Sequence, residues 1–157
     1  MKHPIPTKIT TLCLVYKHPK LLLGLKKRGF GEGRWNGYGG KVDPGETIEE
    51  SLVREMQEES GLTPTKFEKR GVLYFEFKKI PEQIYEVNIF SIDDYSGELI
   101  ETEEMKPQWF DVGDLPWDEM WSDDIYWHSL FLEGKKFEGN FLFDEKEKVI
   151  RHELEEI

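Results

Sequence analysis

Apolar positions in this chain fall into short runs of strand period, with one stretch in between on a helical period. Residues 8–16 (KITTLCLVY) are β-branched and apolar and predict a strand. His18-Pro19-Lys20 turns the chain, and residues 21–25 predict a second strand. Ile48, Leu52 and Met56 recur every four residues and make the apolar stripe of a helix. Thr47 with Glu50 fits a capping box, so that helix begins near Ile48; Gly61 fits the left-handed residue that closes it. Residues 67–78 hold a strand in which Phe75 and Phe77 share a face, and residues 84–92 alternate as its hairpin partner, followed by a turn at 93–97. A short strand is expected at 108–112, a helical region at 117–132 broken around Ser122-Asp123-Asp124, and a closing hairpin at 140–144 and 149–157. The order predicts a single α+β domain over 1–157, with helices packed on a mostly antiparallel or mixed sheet.

Two features of this pattern call for chemistry. Residues 26–40 (KKRGFGEGRWNGYGG) form a long glycine-rich loop that feeds the helix, and its aromatic residues argue against disorder. No Gly-Lys-Ser/Thr follows, so it is not a Walker loop. The helix then carries Glu55, Glu58 and Glu59 within an arc of about 100°, overlapping one edge of the apolar stripe. Like charges three and four residues apart repel, and a carboxylate near the core is costly unless paired. A solvated acidic face does not explain that placement, whereas a hard divalent cation such as Mg2+ removes both objections.

Charge and cysteine content narrow the setting. Net charge is −11, which disfavours binding of duplex nucleic acid through its phosphates. A small anion, with metal ions offsetting the repulsion, fits better than a long polyanion. The lone cysteine, Cys13, excludes an internal disulfide, reads as an inert core residue and suits a reducing compartment. No stretch is long and apolar enough to predict a helical membrane span, and no signal-peptide run is present.

The stretch from Gly40 to Leu62 has a further order: glycine, five residues, Glu46, seven residues, Arg54-Glu55, an apolar residue, any residue, Glu58-Glu59, any residue, Gly61, Leu62. This resembles the signature of the Nudix family at every fixed position. The resemblance implies a Nudix α/β/α sandwich, a mixed sheet with the signature helix and a second helix packed on it. It implies that Glu55, Glu58 and Glu59 ligate the metal, Mg2+ with Mn2+ able to substitute, and that one of them helps deprotonate water. Arg54 would pair with Glu46 and hold the ligand helix in register. Gly39, Gly40 and Lys41 would lie along the metal and phosphates. A later loop often adds a ligand in this family, which points to Glu104, with Glu103 and Glu101 as competitors.

The similarity extends beyond the signature. Residues 26–42, Phe75-Glu76-Phe77, Glu104-Met105, Trp109-Phe110, residues 120–124 and Tyr126-Trp127 are similar to the animal MutT-homologue branch of that family. The likeness implies hydrolysis of oxidised purine nucleoside triphosphates, 8-oxo-dGTP and 2-hydroxy-dATP, and with them certain methylated purine triphosphates. Asn36, Asp123 and Asp124 would read the base edge and Trp121 would stack on it. Phe30, Phe75, Phe77, Met105 and Trp127 would wall the pocket, with Thr11 and Lys26 close to the nucleotide. The implied ligand is a small molecule, with no nucleic acid or membrane partner, and a monomer is expected because no exposed heptad or long apolar edge suggests otherwise. It would be cytoplasmic, with nucleus or mitochondrion open in a eukaryote. Ser122 stands where that branch typically has a proline. The rivals are a Nudix hydrolase of another nucleoside diphosphate derivative and a non-catalytic nucleotide-binding Nudix domain.

Two adjacent carboxyls in an aromatic pocket should not both stay ionised, so one proton is expected to remain at neutral pH. The protonated acid donates to a purine oxygen while its ionised neighbour accepts from N–H. Exchange of that proton would let one pocket take oxidised guanine and oxidised adenine alike.

Overall fold

The computed structural model describes residues 1–157. Its eight strands are β1 (Lys8–Lys17), β2 (Lys20–Lys26), β3 (Trp35–Asn36), β4 (Leu62–Phe77), β5 (Ile84–Gly97), β6 (Met105–Asp111), β7 (Phe137–Phe143) and β8 (Val149–Glu156). They form one sheet in the order β3-β2-β1-β5-β4-β7-β8, with β6 also paired to β2. The sheet is mixed: β1·β5 and β4·β7 are parallel, the other pairs antiparallel.

Alternation along the strands sends side chains to two cores. Leu12 and Leu14 of β1 and Leu21 and Leu23 of β2 join Trp127 and Phe131 of helix α2 (Asp124–Leu132) on one face. Cys13, Val15 and Leu22 join Leu52 and Met56 of helix α1 (Ile48–Ser60) on the other. Both faces are thus covered, which is the expected α/β/α arrangement. No helix is long and apolar enough to cross a membrane, a statement that bears on helical spans alone.

Helix α1 begins and ends where its caps dictate. Thr47 Oγ1 accepts from Glu50 N at 3.0 Å and the Glu50 carboxylate accepts from Thr47 N at 2.9 Å. Gly61 closes the helix at φ 81°, where a side chain would meet Glu98 O.

Two expectations shift. The 93–97 segment is not a turn but the end of β5, paired with the start of β4 from Leu62↔Gly97 onward. Register shifts near Pro64, Lys66 and Lys69 absorb the residues that read as breakers, as bulges do. The 26–40 loop contains strand β3, a two-residue pairing too short for periodicity to reveal. The 117–132 region is broken as expected: a 3-10 turn at Trp117–Glu119, an irregular step through Ser122, then α2.

Candidate active site

β1 and β2 pair at Val15↔Leu22 through Lys17↔Lys20 and then diverge, and the segment from Trp35 to Lys41 enters the gap. It pairs with β2 through Trp35 and Asn36, then with β1 through Tyr38 and Lys41. The insertion is tight. A Cβ on Gly39 would sit 2.0 Å from Thr11 O, and one on Gly40 would sit 2.7 Å from the Glu55 carboxyl carbon. Glycine is required there because backbone lies directly against a carboxylate of α1.

Glu59 is 5% exposed, and its Oε1 accepts from Gly39 N at 3.0 Å. Burial pushes its carboxyl up to about 7; the Gly39 N–H opposes that, the Glu55 charge adds to it, Lys26 opposes and Glu104 adds. Burial also raises Glu55, against the Arg54 guanidinium. Arg54 forks onto Glu46, Nε to Oε2 at 2.6 Å and Nη2 to Oε1 at 3.0 Å. That fork, helped by the Asp43 N–H at 2.9 Å, holds the Glu46 carboxyl down at about 2. The same Arg54 reaches Glu55 Oε1 at 3.0 Å and Glu58 Oε2 at 3.2 Å.

These carboxylates do not converge as a preformed claw: no three acidic, histidine or cysteine groups are gathered closely enough to grip an ion. Arg54 draws Glu55 and Glu58 to itself instead. Their chemistry nonetheless suits a hard divalent cation. The donors are all oxygens, Glu59 is buried with no cation in contact, and Glu55 and Glu59 repel each other. Of the later-loop candidates, Glu101 pairs with Lys27 at 2.7 Å and Glu103 with Arg28 at 3.6 Å. Glu104 pairs with Lys26 at 3.2 Å and Arg28 at 2.7 Å, and its charge bears on Glu59. Arg28 is the first cause of the lowered Glu104 carboxyl.

A cavity of about 320 Å³ runs from this end of α1 across the sheet. Thr11, Lys26, Gly39, Gly40, Lys41 and Glu59 line one part, and Phe30, Asn36, Phe75, Phe77, Met105, Trp121, Asp123 and Asp124 the other. Glu46, Arg54, Glu55, Glu58 and Glu104 lie outside its wall. Trp127 does not wall the pocket as expected. It is fully buried behind the acids, and its Nε1–H donates to Asp123 Oδ2 at 2.8 Å. Asp123, at the N-cap position of α2, makes no side-chain capping bond.

The floor of the cavity is buried and acidic. Asp123 and Asp124 are each 2% exposed, and each keeps one carboxyl oxygen, Oδ1 of Asp123 and Oδ2 of Asp124, without a partner. Burial pushes both upward; the Trp127 N–H restrains Asp123, and the Asp123 charge drives Asp124 further. Both acids are therefore biased towards the protonated form, Asp124 the more strongly because the Asp123 charge adds to its burial. His128, one turn on, is also buried, with Nε2 3.8 Å from Asp124 Oδ1. Burial lowers the imidazole to about 3, so it stays neutral.

Phe30, Phe77, Tyr85 and Trp121 form the aromatic wall, with Phe30–Trp121 centroids 5.1 Å apart and Phe77–Tyr85 5.6 Å apart. Asn36 Oδ1 accepts from Gly37 N at 2.9 Å, leaving its amide NH2 to point elsewhere. Sequence reasoning missed Tyr85, Arg34 and Lys8. Tyr85 sits on the same strand face as Val87 and Ile89, so alternation along β5 carried its signal. Arg34 was one cation among several in the glycine loop.

Comparison with known proteins agrees with this geometry. The NUDIX domain model matches residues 6–131. The chain is 48% identical over 151 residues to the oxidized purine nucleoside triphosphate hydrolase of Danio rerio and 47% identical to that of Mus musculus, covering 96% of this chain and of each relative. The crystal structure of a MutT protein from Bacillus halodurans superposes with a TM-score of 0.83 at 24% identity, covering 94% of this chain and 97% of that one, and shares its fold.

Proposed function

The chain belongs to the NUDIX family, and we propose that it hydrolyses oxidised purine nucleoside triphosphates such as 8-oxo-dGTP and 2-hydroxy-dATP to the monophosphate and pyrophosphate. The Danio rerio and Mus musculus relatives are named as oxidized purine nucleoside triphosphate hydrolases. The observation that supports it most is the pair Asp123 and Asp124. Two buried, adjacent carboxyls each present a free oxygen in an aromatic cavity that also reaches Glu59.

In this reading a purine lies on the Trp121 indole, with Phe30 and Phe77 at its sides. Ionised Asp123 accepts from an N–H of the base edge. Protonated Asp124 donates to the oxygen that oxidation has added or exposed. Asn36 offers an amide N–H to the remaining acceptor. An unoxidised purine leaves at least one of these buried groups unpaired, and that penalty is the source of discrimination. Moving the shared proton between the two acids exchanges donor and acceptor and admits the second oxidised base; certain methylated purines fit the same logic.

The triphosphate extends towards α1, where Lys26, Lys41 and the Gly39–Gly40 backbone meet it. Glu55, Glu58, Glu59 and Glu104, with Gly39, would hold Mg2+, or Mn2+ in its place. When bound, that ion supplies neutralisation of the phosphates and an acidified water. Arg54, clamped by Glu46, fixes the helix that presents these carboxylates. One carboxylate of α1 takes the proton of the attacking water as the α–β phosphoanhydride breaks, giving monophosphate and pyrophosphate. The whole chain acts as one catalytic domain, as a monomer on a small-molecule substrate in the cytoplasm, or in the nucleus or mitochondrion of a eukaryote.

A nucleotide panel with pyrophosphate detection, with and without Mg2+ and in Glu58→Gln, tests this. Metal-dependent release from oxidised purine triphosphates, lost in Glu58→Gln, supports it. Preference for ADP-ribose, a dinucleoside polyphosphate or a cap overturns the substrate; binding without turnover overturns the enzyme.

A further inference from the structure

We propose that Glu147, in the turn between β7 and β8, is a positioning residue for the base platform, acting on Trp121 through Arg34 and Ser122. The inference rests on the reading of Trp121 as the stacking surface. Glu147 is the one non-glycine residue with positive φ, at 63°. A side chain in that conformation is strained, and strain persists where surrounding contacts over-determine it. Those contacts are explicit. Asp144 Oδ1 accepts from Lys146 N at 2.8 Å and Lys148 N at 2.9 Å, and Glu147 N donates to Asp144 O at 3.0 Å, which fixes the turn.

The turn then grips the platform twice. The Glu147 carboxylate accepts from Arg34 Nη1 at 3.0 Å, with both side chains largely covered. The Arg34 guanidinium carbon lies 4.0 Å from the Trp121 ring centroid, a cation stacked on the indole. The Glu147 carbonyl also accepts from Ser122 Oγ at 3.4 Å, and Ser122 Oγ accepts from Val149 N at 2.9 Å. Ser122 stands between Trp121 and Asp123, so one turn sets both the indole and the backbone that presents the acids. Without the Glu147 carboxylate, Arg34 loses its one ion pair and is free to leave the indole face. Trp121 then samples other orientations, and ordered stacking of a base becomes less favourable. Residues at the α1 end are untouched, so bond breaking is unaffected once substrate is bound.

Glu147→Gly removes the carboxylate while relieving the positive φ, so loss of positioning is separated from loss of stability. Glu147→Gln keeps an acceptor for Arg34 and serves as the conservative rescue. For an oxidised purine triphosphate, Glu147→Gly should raise KM about five- to tenfold, a span set by the cation–π interaction lost. It should leave kcat within about twofold and thermal stability unchanged or higher, with Glu147→Gln closer to wild type. The Trp121 indole N–H resonance, assigned with Trp121→Phe, should shift and broaden in Glu147→Gly and not in Glu147→Gln. That second readout needs no substrate: an inactive wild type would refute the enzymatic reading, while the resonance still decides the clamp. An unmoved Trp121 resonance in Glu147→Gly, or a fall in kcat at constant KM, overturns the proposal.

Discussion

His128→Phe measures how dry the floor beneath the acid pair is. His128 is buried against Trp117 and Trp127, with ring centroids at 5.5 Å and 4.4 Å, so a phenyl ring of similar size replaces it among aromatic neighbours. In the folded chain burial holds the imidazole at about 3, whereas its ordinary value is 6.5. Between those two values the unfolded chain binds a proton that the folded chain refuses, so stability falls as pH drops through that window. At a pH two units below the ordinary value, the cost is about 3 kcal/mol. Phenylalanine has no such cost. Asp123, Asp124 and Glu59, raised by burial, act in the opposite direction: the folded chain binds their protons more tightly, and its stability falls as pH rises through their folded values. The Asp123 and Glu59 terms are common to both proteins and cancel in the difference; Asp124, 3.8 Å from His128, is the one neighbour whose term can change with the substitution. Urea unfolding of wild type and His128→Phe at several pH values from neutral to about two units below the histidine value gives that difference directly. Wild type should lose about 2–3 kcal/mol relative to the variant over this range. Parallel curves would refute the reasoning, because they would mean that water reaches His128 and, with it, the acids whose proton retention depends on the same burial.

Other perturbations address the remaining parts of the site. Trp127→Phe removes the N–H that restrains Asp123; a hydrogen bond to a charged group contributes about 1.5–3 kcal/mol. The kcat/KM for the substrate that needs ionised Asp123 should therefore fall about two- to fifteenfold at neutral pH and recover as pH rises. Asp123→Asn and Asp124→Asn should change the ratio of activity on oxidised guanine and oxidised adenine triphosphates in different senses, read from kcat/KM for each; unchanged ratios in both would remove the proton-exchange idea. Gly40→Ala places a methyl 2.7 Å from the Glu55 carboxyl carbon and should lower kcat about a hundredfold by displacing that carboxylate, with circular dichroism showing an intact fold. Arg54→Gln unpins Glu46 and so loosens the helix that presents Glu55, Glu58 and Glu59; metal titration should show weaker affinity and turnover should fall, and wild-type values for both would detach the clamp from catalysis.

Legibility in the sequence followed the range of the interaction. Helix α1 was readable to its ends because Thr47, Glu50 and Gly61 act on backbone within one turn. The burial of Glu59 followed from its angle to Leu52 and Met56, which is also local. Trp127 was misplaced because its position depends on a core assembled with β7, which helical spacing does not encode; only its bond to Asp123, four residues back, is of helical range. The β4–β5 pairing beyond residue 92 was hidden because bulges and a proline break the alternation that reveals a strand. Arg34 and Glu147 lie 113 positions apart, and no local pattern announces such a pair.

The central claim is that the carboxylates of α1 serve a divalent ion shared with a triphosphate whose base rests on Trp121 above Asp123 and Asp124. A crystal structure with Mg2+ and a non-hydrolysable 8-oxo-dGTP analogue tests it directly. The account predicts oxygens of Glu55, Glu58 and Glu59 on the ion, Arg54 turned back to Glu46, and the base edge bonded to Asn36, Asp123 and Asp124. Carboxylates left facing bulk solvent, or a base bound away from the acid pair, would contradict it.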